Sequence, residues 1–257
     1  MTRPAQTHVY SWGAGALYIG PALGLSAHRN AVAVLALGLD APFDVANDPA
    51  QPARGYRRCR SVLIPPNTLH HLARTRGNMA FLYFDAHSPE LQRLAATARV
   101  RTKRGSFELS AARRIAGRLR DLAAGRSDWS QVSAHLNAVL RNGSAAPPDP
   151  RIASSLEMLR EHASKRLSLT ELARAAGLSE SRFRHLFKTT IGLPLRRYRL
   201  WLAMDVAMRR VASTGNLTVA ALDAGFASSA HFSATFRDMF GLEPSRLAKL
   251  MRNARDT

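Results

Sequence analysis

The chain carries the same helical punctuation twice. "LTELARAAG" at Leu169–Gly177 returns as "LTVAALDAG" at Leu217–Gly225, and "FKTTIGLP" at Phe187–Pro194 returns as "FRDMFGLEP" at Phe236–Pro244. Each copy reads as two short helices broken by a glycine. The copies lie about 48 residues apart, with "PLRRYRLWLAMDVAMRRVAS" between them as one long connecting helix. Local chemistry supports each joint. Ser168-x-x-Glu171 is a capping box, in which each side chain serves the other residue's free backbone donor. Gly177 suits the left-handed position that ends a helix, and Ser179 can cap the next one. This is helix–turn–helix geometry, and it occurs twice. The spacing from Gly177 to Phe183 is six residues and from Gly225 to Phe232 seven, so the second turn is one residue longer.

At roughly 100° per residue, Phe183, Leu186 and Phe187 form the inward stripe of the second helix in the first unit. Ser181, Arg184, His185 and Lys188 stand opposite. In the second unit Phe232, Thr235 and Phe236 turn inward, and Ala230, Ser233, Ala234 and Arg237 face out. A charged helix face is ordinarily just a solvated surface, but duplication of the whole unit argues for a shared target. Charge points the same way. Lys and Arg number 37 against 18 Asp and Glu, a formal +19, and the excess runs through both halves, 19 to 9 before Pro150 and 18 to 9 after it. A polyanion such as nucleic acid is the partner this balance favours. Only four of the 37 cations are Lys, so base bias of the gene contributes too.

At 257 residues the chain is long enough for two domains. Residues from Ala16 to Asp85 read as β-rich, with short apolar runs ("ALYIG", "AVAVLALGL", "CRSVLIPP", "MAFLYFD") between turn signals, which suggests a barrel or sandwich. A helical pattern follows, with Ala112, Ile115, Leu119 and Leu122 as one stripe from Ser106 to Ala124, and Trp129, Val132, Leu136, Val139 and Leu140 as a second. "RNGSAAPPDP" at Arg141–Pro150 breaks the pattern. The expected fold is α+β: a β-domain at 1–90, a helical linker at 91–142, a flexible joint at 143–150 and an all-α domain at 151–257. The stripe through Ile115, Leu119 and Leu122 can serve a homodimer or cover the β-domain of its own chain. With one cysteine, Cys59, no intramolecular disulfide forms. "MTRPAQTHVYSWGAG" lacks a leader-like apolar run, and Ala31–Leu39 is too short to span a bilayer. A cytoplasmic setting with no membrane partner is expected.

"LARAAGLSESRFRHLFKTTIGLPLRRY" and "ALDAGFASSAHFSATFRDMFGLEPSRL" resemble the AraC/XylS family of bacterial transcription regulators over Ile152–Leu247. In that family each unit lays its second helix in the major groove of double-stranded DNA, and the connecting helix holds the two about one DNA turn apart. The resemblance implies DNA contacts by Ser181, Arg182, Arg184, His185 and Lys188 in the first unit, and by Ser229, Ala230, Ser233, Ala234 and Arg237 in the second. Arg184 suits direct readout, since a guanidinium bonds both guanine acceptors; Lys188 and Arg237 suit phosphate. "CRSVLIPPNTLHHLARTRGNMAFLYFD" resembles the cupin-type domain that precedes the DNA-binding domain in many members, where it senses a small molecule, dimerises, or both. The resemblance implies an activator-type regulator that works with RNA polymerase and has no cofactor, with His28 and His70 as candidate effector contacts.

Other function classes compete with this one. A cupin-like fold admits a metal-dependent enzyme or metal sensor using His28, His70, His71 and His87, but no compact H-x-H…E pattern is present and no metal is expected. The DNA-repair methyltransferase that carries AraC-type units needs a zinc-bound cysteine cluster, which one cysteine cannot form. Cys59 reads as a strand residue, with a thiol sensor as its alternative. A non-specific basic DNA binder would show little sequence preference and a steep salt slope. The reading adopted is a regulator, not an enzyme.

Overall fold

The computed structural model describes residues 7–12, 15–46, 55–73, 75–84, 89–141, 149–163 and 167–253. Two antiparallel sheets face each other. One has seven strands: β1 (His8–Trp12), β2 (Gly15–Pro21), β4 (Ala33–Gly38), β7 (Ser61–Ile64), β9 (Asn78–Phe84), β10 (Ala98–Thr102) and β11 (Gly105–Leu109), in the spatial order β1-β2-β9-β4-β7-β11-β10. The other has four: β3 (His28–Arg29), β5 (Phe43–Ala46), β6 (Arg57–Cys59) and β8 (Leu69–Leu72), in the order β3-β8-β5-β6.

The central strands of the larger sheet are buried on both faces, which explains the unbroken apolar run at Ala31–Leu39. Val34, Ala36, Val62, Ile64 and Phe81 point into the sandwich. Leu17, Ile19, Leu35, Leu37, Leu63 and Leu82, of alternate parity, point the other way. That outer face is covered by α1 (Pro89–Ala96), α2 (Ser110–Ala123) and α3 (Trp129–Arg141). Ile115, Leu119 and Leu122 are 0%, 0% and 5% exposed in this layer. The stripe offered above to a second copy is therefore spent inside the chain, and a dimer would need another surface. The side chains of Val139 and Leu140, and residues 142–148 of the expected joint, lie outside the described residues.

The helical reading from Ser106 is corrected. Gly105–Leu109 is a strand paired with β7, and the helix starts at Ser110. Phe107 faces the sandwich and Leu109, two residues on, the helical layer, so the strand's alternation is broken between them. Glu108 makes the break: its φ is +53° and its carboxylate accepts the Arg60 amide at 2.8 Å. The larger sheet thus takes two strands from beyond residue 90, where the sequence suggested a helical linker.

The remaining helices are α4 (Pro150–Glu161), α5 (Leu169–Ala175), α6 (Glu180–Ile191), α7 (Leu195–Thr214), α8 (Leu217–Asp223), α9 (Ser229–Phe240) and α10 (Pro244–Asn253). Phe183, Phe187 and Tyr198 close one core, and Phe226, Phe232 and Phe236 the other. None of the described helices is long and apolar enough to cross a membrane.

Candidate nucleic-acid interface

The two turns are built alike, bond for bond. In the first, the amides of Gly177 and Leu178 return to the carbonyls of Arg174 and Ala173 at 3.0 and 2.9 Å; in the second, those of Gly225 and Phe226 return to Leu222 and Ala221 at 2.9 and 3.0 Å. This is the Schellman closure, with glycine in the left-handed conformation (φ +64° and +82°). The next helix then opens on a serine cap, Ser179 to the Arg182 amide and Ser228 to the His231 amide. The sequence predicted the first turn, its capping box and the longer second turn, and each is present.

These joints fix which side chains face out. Ser181, Arg182, Arg184, His185 and Lys188 are all exposed on α6, while Phe183 and Phe187 are fully buried. Arg184 lies 3.5 Å from Glu180, a weak exposed pair that leaves its guanidinium free to be recruited. Glu180 also accepts the Thr170 hydroxyl at 2.6 Å, tying α6 to α5. On α9, Ala230, Ala234 and Arg237 are exposed, but Ser229 and Ser233 are half-buried. Arg237 pairs with Glu243 at 2.7 Å, so phosphate would compete with a carboxylate for it. The 20 residues of α7 span about 30 Å at 1.5 Å each, close to one turn of B-DNA.

A second feature was not visible in the sequence. The β-domain grips the end of α9. Ser26 donates its amide and hydroxyl to the Gly241 carbonyl at 2.8 and 3.0 Å, and Asn30 Nδ2 donates to the Met239 carbonyl at 2.7 Å. Arg197 of α7 pairs with Asp238 at 3.1 Å and donates to the Arg29 carbonyl. His28 and His70 sit at this joint as cross-strand partners, ring centroids 4.3 Å apart and only 3% and 1% exposed. Their Nδ1 atoms lie 2.8 and 2.9 Å from the carbonyls of Ser26 and Thr68; since a carbonyl only accepts, both rings carry the proton on Nδ1. Burial pushes the pKa of His28 down and that of His70 down to about 3.

Beside the joint, Trp201 and Phe240 pack on Tyr83 at ring distances of 6.0 and 5.4 Å. Trp201 is buried between the β-domain and the helices. The signal for this seam was α7 itself, apolar nearly all round from Leu200 to Met208, as a helix covered on both sides must be. His28 and His70 do not line the apolar cleft in this seam. Among the described residues no three His, Cys, Asp or Glu side chains converge on a metal-sized site; His87 lies outside them. The Cys59 thiol is 2% exposed, and burial pushes its pKa up to about 12, which leaves no thiolate for redox sensing at neutral pH.

A family model described as "Helix-turn-helix domain" matches residues 172–249. The probable transcriptional regulator LumQ of Photobacterium leiognathi is 33% identical over 95 residues, which are 37% of this chain and 38% of LumQ, so the match spans little more than a third of that relative. The crystal structure of ToxT from Vibrio cholerae O395 aligns over 92% of this chain and 97% of its own, with a TM-score of 0.59 and 10% identity. ToxT from Vibrio cholerae strain SCE256, bound to an unsaturated fatty acid, aligns over 97% and 98%, with a TM-score of 0.51 and 11% identity. At such identity the likeness to ToxT concerns the fold alone. Residues 172–249 are a helix-turn-helix domain of the AraC type.

Proposed function

We propose that the chain is a sequence-specific transcription regulator, not an enzyme, that reads double-stranded DNA with α6 and α9 and is controlled through the seam between its two halves. The observation that carries this reading is the bond-for-bond repetition of the turn before α6 and α9, with about 30 Å of helix between the units. Arg184 reads bases and Lys188 and Arg237 hold phosphate. The half-site of α9 is read loosely or through DNA shape, because Ala230 and Ala234 donate no hydrogen bond. The fatty acid held by ToxT supports a small apolar effector here as well, acting where the regulatory domain meets α7 and α9. In this reading His28 and His70 stabilise the joint. RNA polymerase and a second copy of the chain are its further partners, in the cytoplasm.

Selection of bound DNA from a random duplex library tests the reading, and should return a bipartite site with more information in the half facing α6. Arg184→Ala should cost about 1–3 kcal/mol at one or two base positions and relax choice there. Arg237→Ala should weaken binding to every sequence alike and flatten the salt dependence by about one unit. Absence of any enriched sequence, together with a steep salt slope, would instead identify a non-specific basic binder.

A further inference from the structure

The cleft between the regulatory domain and α7, α9 and α10 has a volume of about 80 Å³ and almost wholly apolar walls. Tyr18, Phe81 and Tyr83 line it from the sheet, and Trp201, Phe236 and Phe240 from the helices. Within this aromatic cage one lining side chain is charged, Asp205 of α7. An acid there is unexpected in a chain with 37 cations and 18 anions. Its Oδ2 takes two contacts from Arg209, at 3.0 and 2.9 Å. Asp205 is one-fifth exposed and Arg209 half exposed, so the pair sits at the mouth with its cation toward water.

We infer that this cleft takes a compact apolar amine, its body against the aromatic wall and its ammonium group at the Asp205 carboxylate. The inference rests on the seam being the control point and names the ligand class. Ring faces carry negative quadrupole and attract a desolvated cation, most strongly when several surround it. A carboxylate in the same place would meet Asp205 as a like charge in a low-dielectric wall, so the acidic ligand held by ToxT is the wrong class for this cleft. Burial raises the Asp205 pKa and Arg209 lowers it, and an incoming ammonium adds a second cation to that carboxylate from the side of the cleft. The volume corresponds to roughly six waters at about 10–15 Å³ each, which suits one substituted ring rather than a long chain.

Three probes of one shape separate the alternatives: 2-phenylethylamine, 2-phenylethanol and 3-phenylpropanoate, titrated into the full chain by calorimetry and Trp201 fluorescence. The amine should bind at least tenfold tighter than the alcohol, and the carboxylate more weakly than either. Asp205→Asn should bring the amine down to the affinity of the alcohol, and Asp205→Glu should restore its preference. If Asp205→Asn does not fold, Phe240→Leu serves instead, and should weaken the amine more than the alcohol. A tighter carboxylate, an amine preference that survives Asp205→Asn, or no binding by any probe overturns the inference. Amine binding as expected with unchanged DNA affinity would leave the site standing and remove its regulatory role.

Discussion

Gly241→Ala should part the β-domain from α9, whereas Gly192→Ala, the same change at the matching place in the other unit, should not. Both glycines end their helices in the left-handed conformation, φ +70° and +81°. Alanine there costs about 1–2 kcal/mol in either unit. The surroundings differ. A Cβ on Gly192 meets nothing within 4 Å, but one on Gly241 falls 2.5 Å from the Ser26 carbonyl oxygen and 2.6 Å from His28 Nδ1. The oxygen is backbone and cannot swing aside, so the joint must move, at a further cost of about 1–3 kcal/mol. Chemical denaturation gives the two losses, and acrylamide quenching of Trp201 reports the parting. Equal losses with Trp201 equally shielded in both variants would mean that Ser26 and His28 do not hold α9.

The second large effect is on pH. His28 and His70 are neutral in the folded chain, because burial outweighs everything that favours their charge. His70 and His71 face His28 from β8, Asp238 from α9, and Arg197 from α7 is already paired with Asp238. Of these only Asp238 favours an imidazolium. An unfolded chain takes up protons on both rings below an ordinary pKa of 6.5, while the folded chain holds His70 neutral down to about 3. Their contribution is therefore complete above pH 6.5 and is lost as pH falls from 6.5 toward 3. Between pH 7.5 and 5.5, His70 alone should remove about 1.4 kcal/mol of unfolding free energy, and His28 adds in the same direction. The carboxyls of Asp149 and Glu171 are held below the usual range, so their losses begin at lower pH; burial also lowers the His8 pKa, which adds to the slope, and raises that of Asp205, which opposes it. His70→Gln should flatten the profile; a slope as steep as that of the parent would assign it elsewhere.

Local chemistry made the helix–turn–helix units legible. Ser168, Glu171, Gly177 and Ser179 act on backbone groups within a few residues of themselves, so their spacing alone dictates the turn. The outward set on α6 followed from period 3.6, and the same count on α9 misplaced Ser233, which is half-buried, as is Ser229, named only by the resemblance. The joint at Gly241 was illegible for the opposite reason. Ser26 and Gly241 are 215 positions apart, and nothing in the spacing of either shows which carbonyl a serine will find. The strand at Gly105–Leu109 was missed because its pairing to β7 is likewise remote, while the adjoining helix imposes a stronger local period. His28 and His70 stood out as histidines, yet their role depends on a cross-strand register that no local pattern encodes.

The single helix between the two units sets how such a chain can change. Each residue added to or removed from α7 shifts α9 by only 1.5 Å but swings it through 100°, so on the function proposed above a one-residue change turns the second reading face away from the duplex. Seven added residues return it to within about 20° of its first bearing but advance it by roughly three base-pair steps. Spacing between half-sites is thus quantised by the beat of two screws, one of protein and one of DNA. The bases read can drift one side chain at a time along α6, while the distance between the half-sites can change only by a leap.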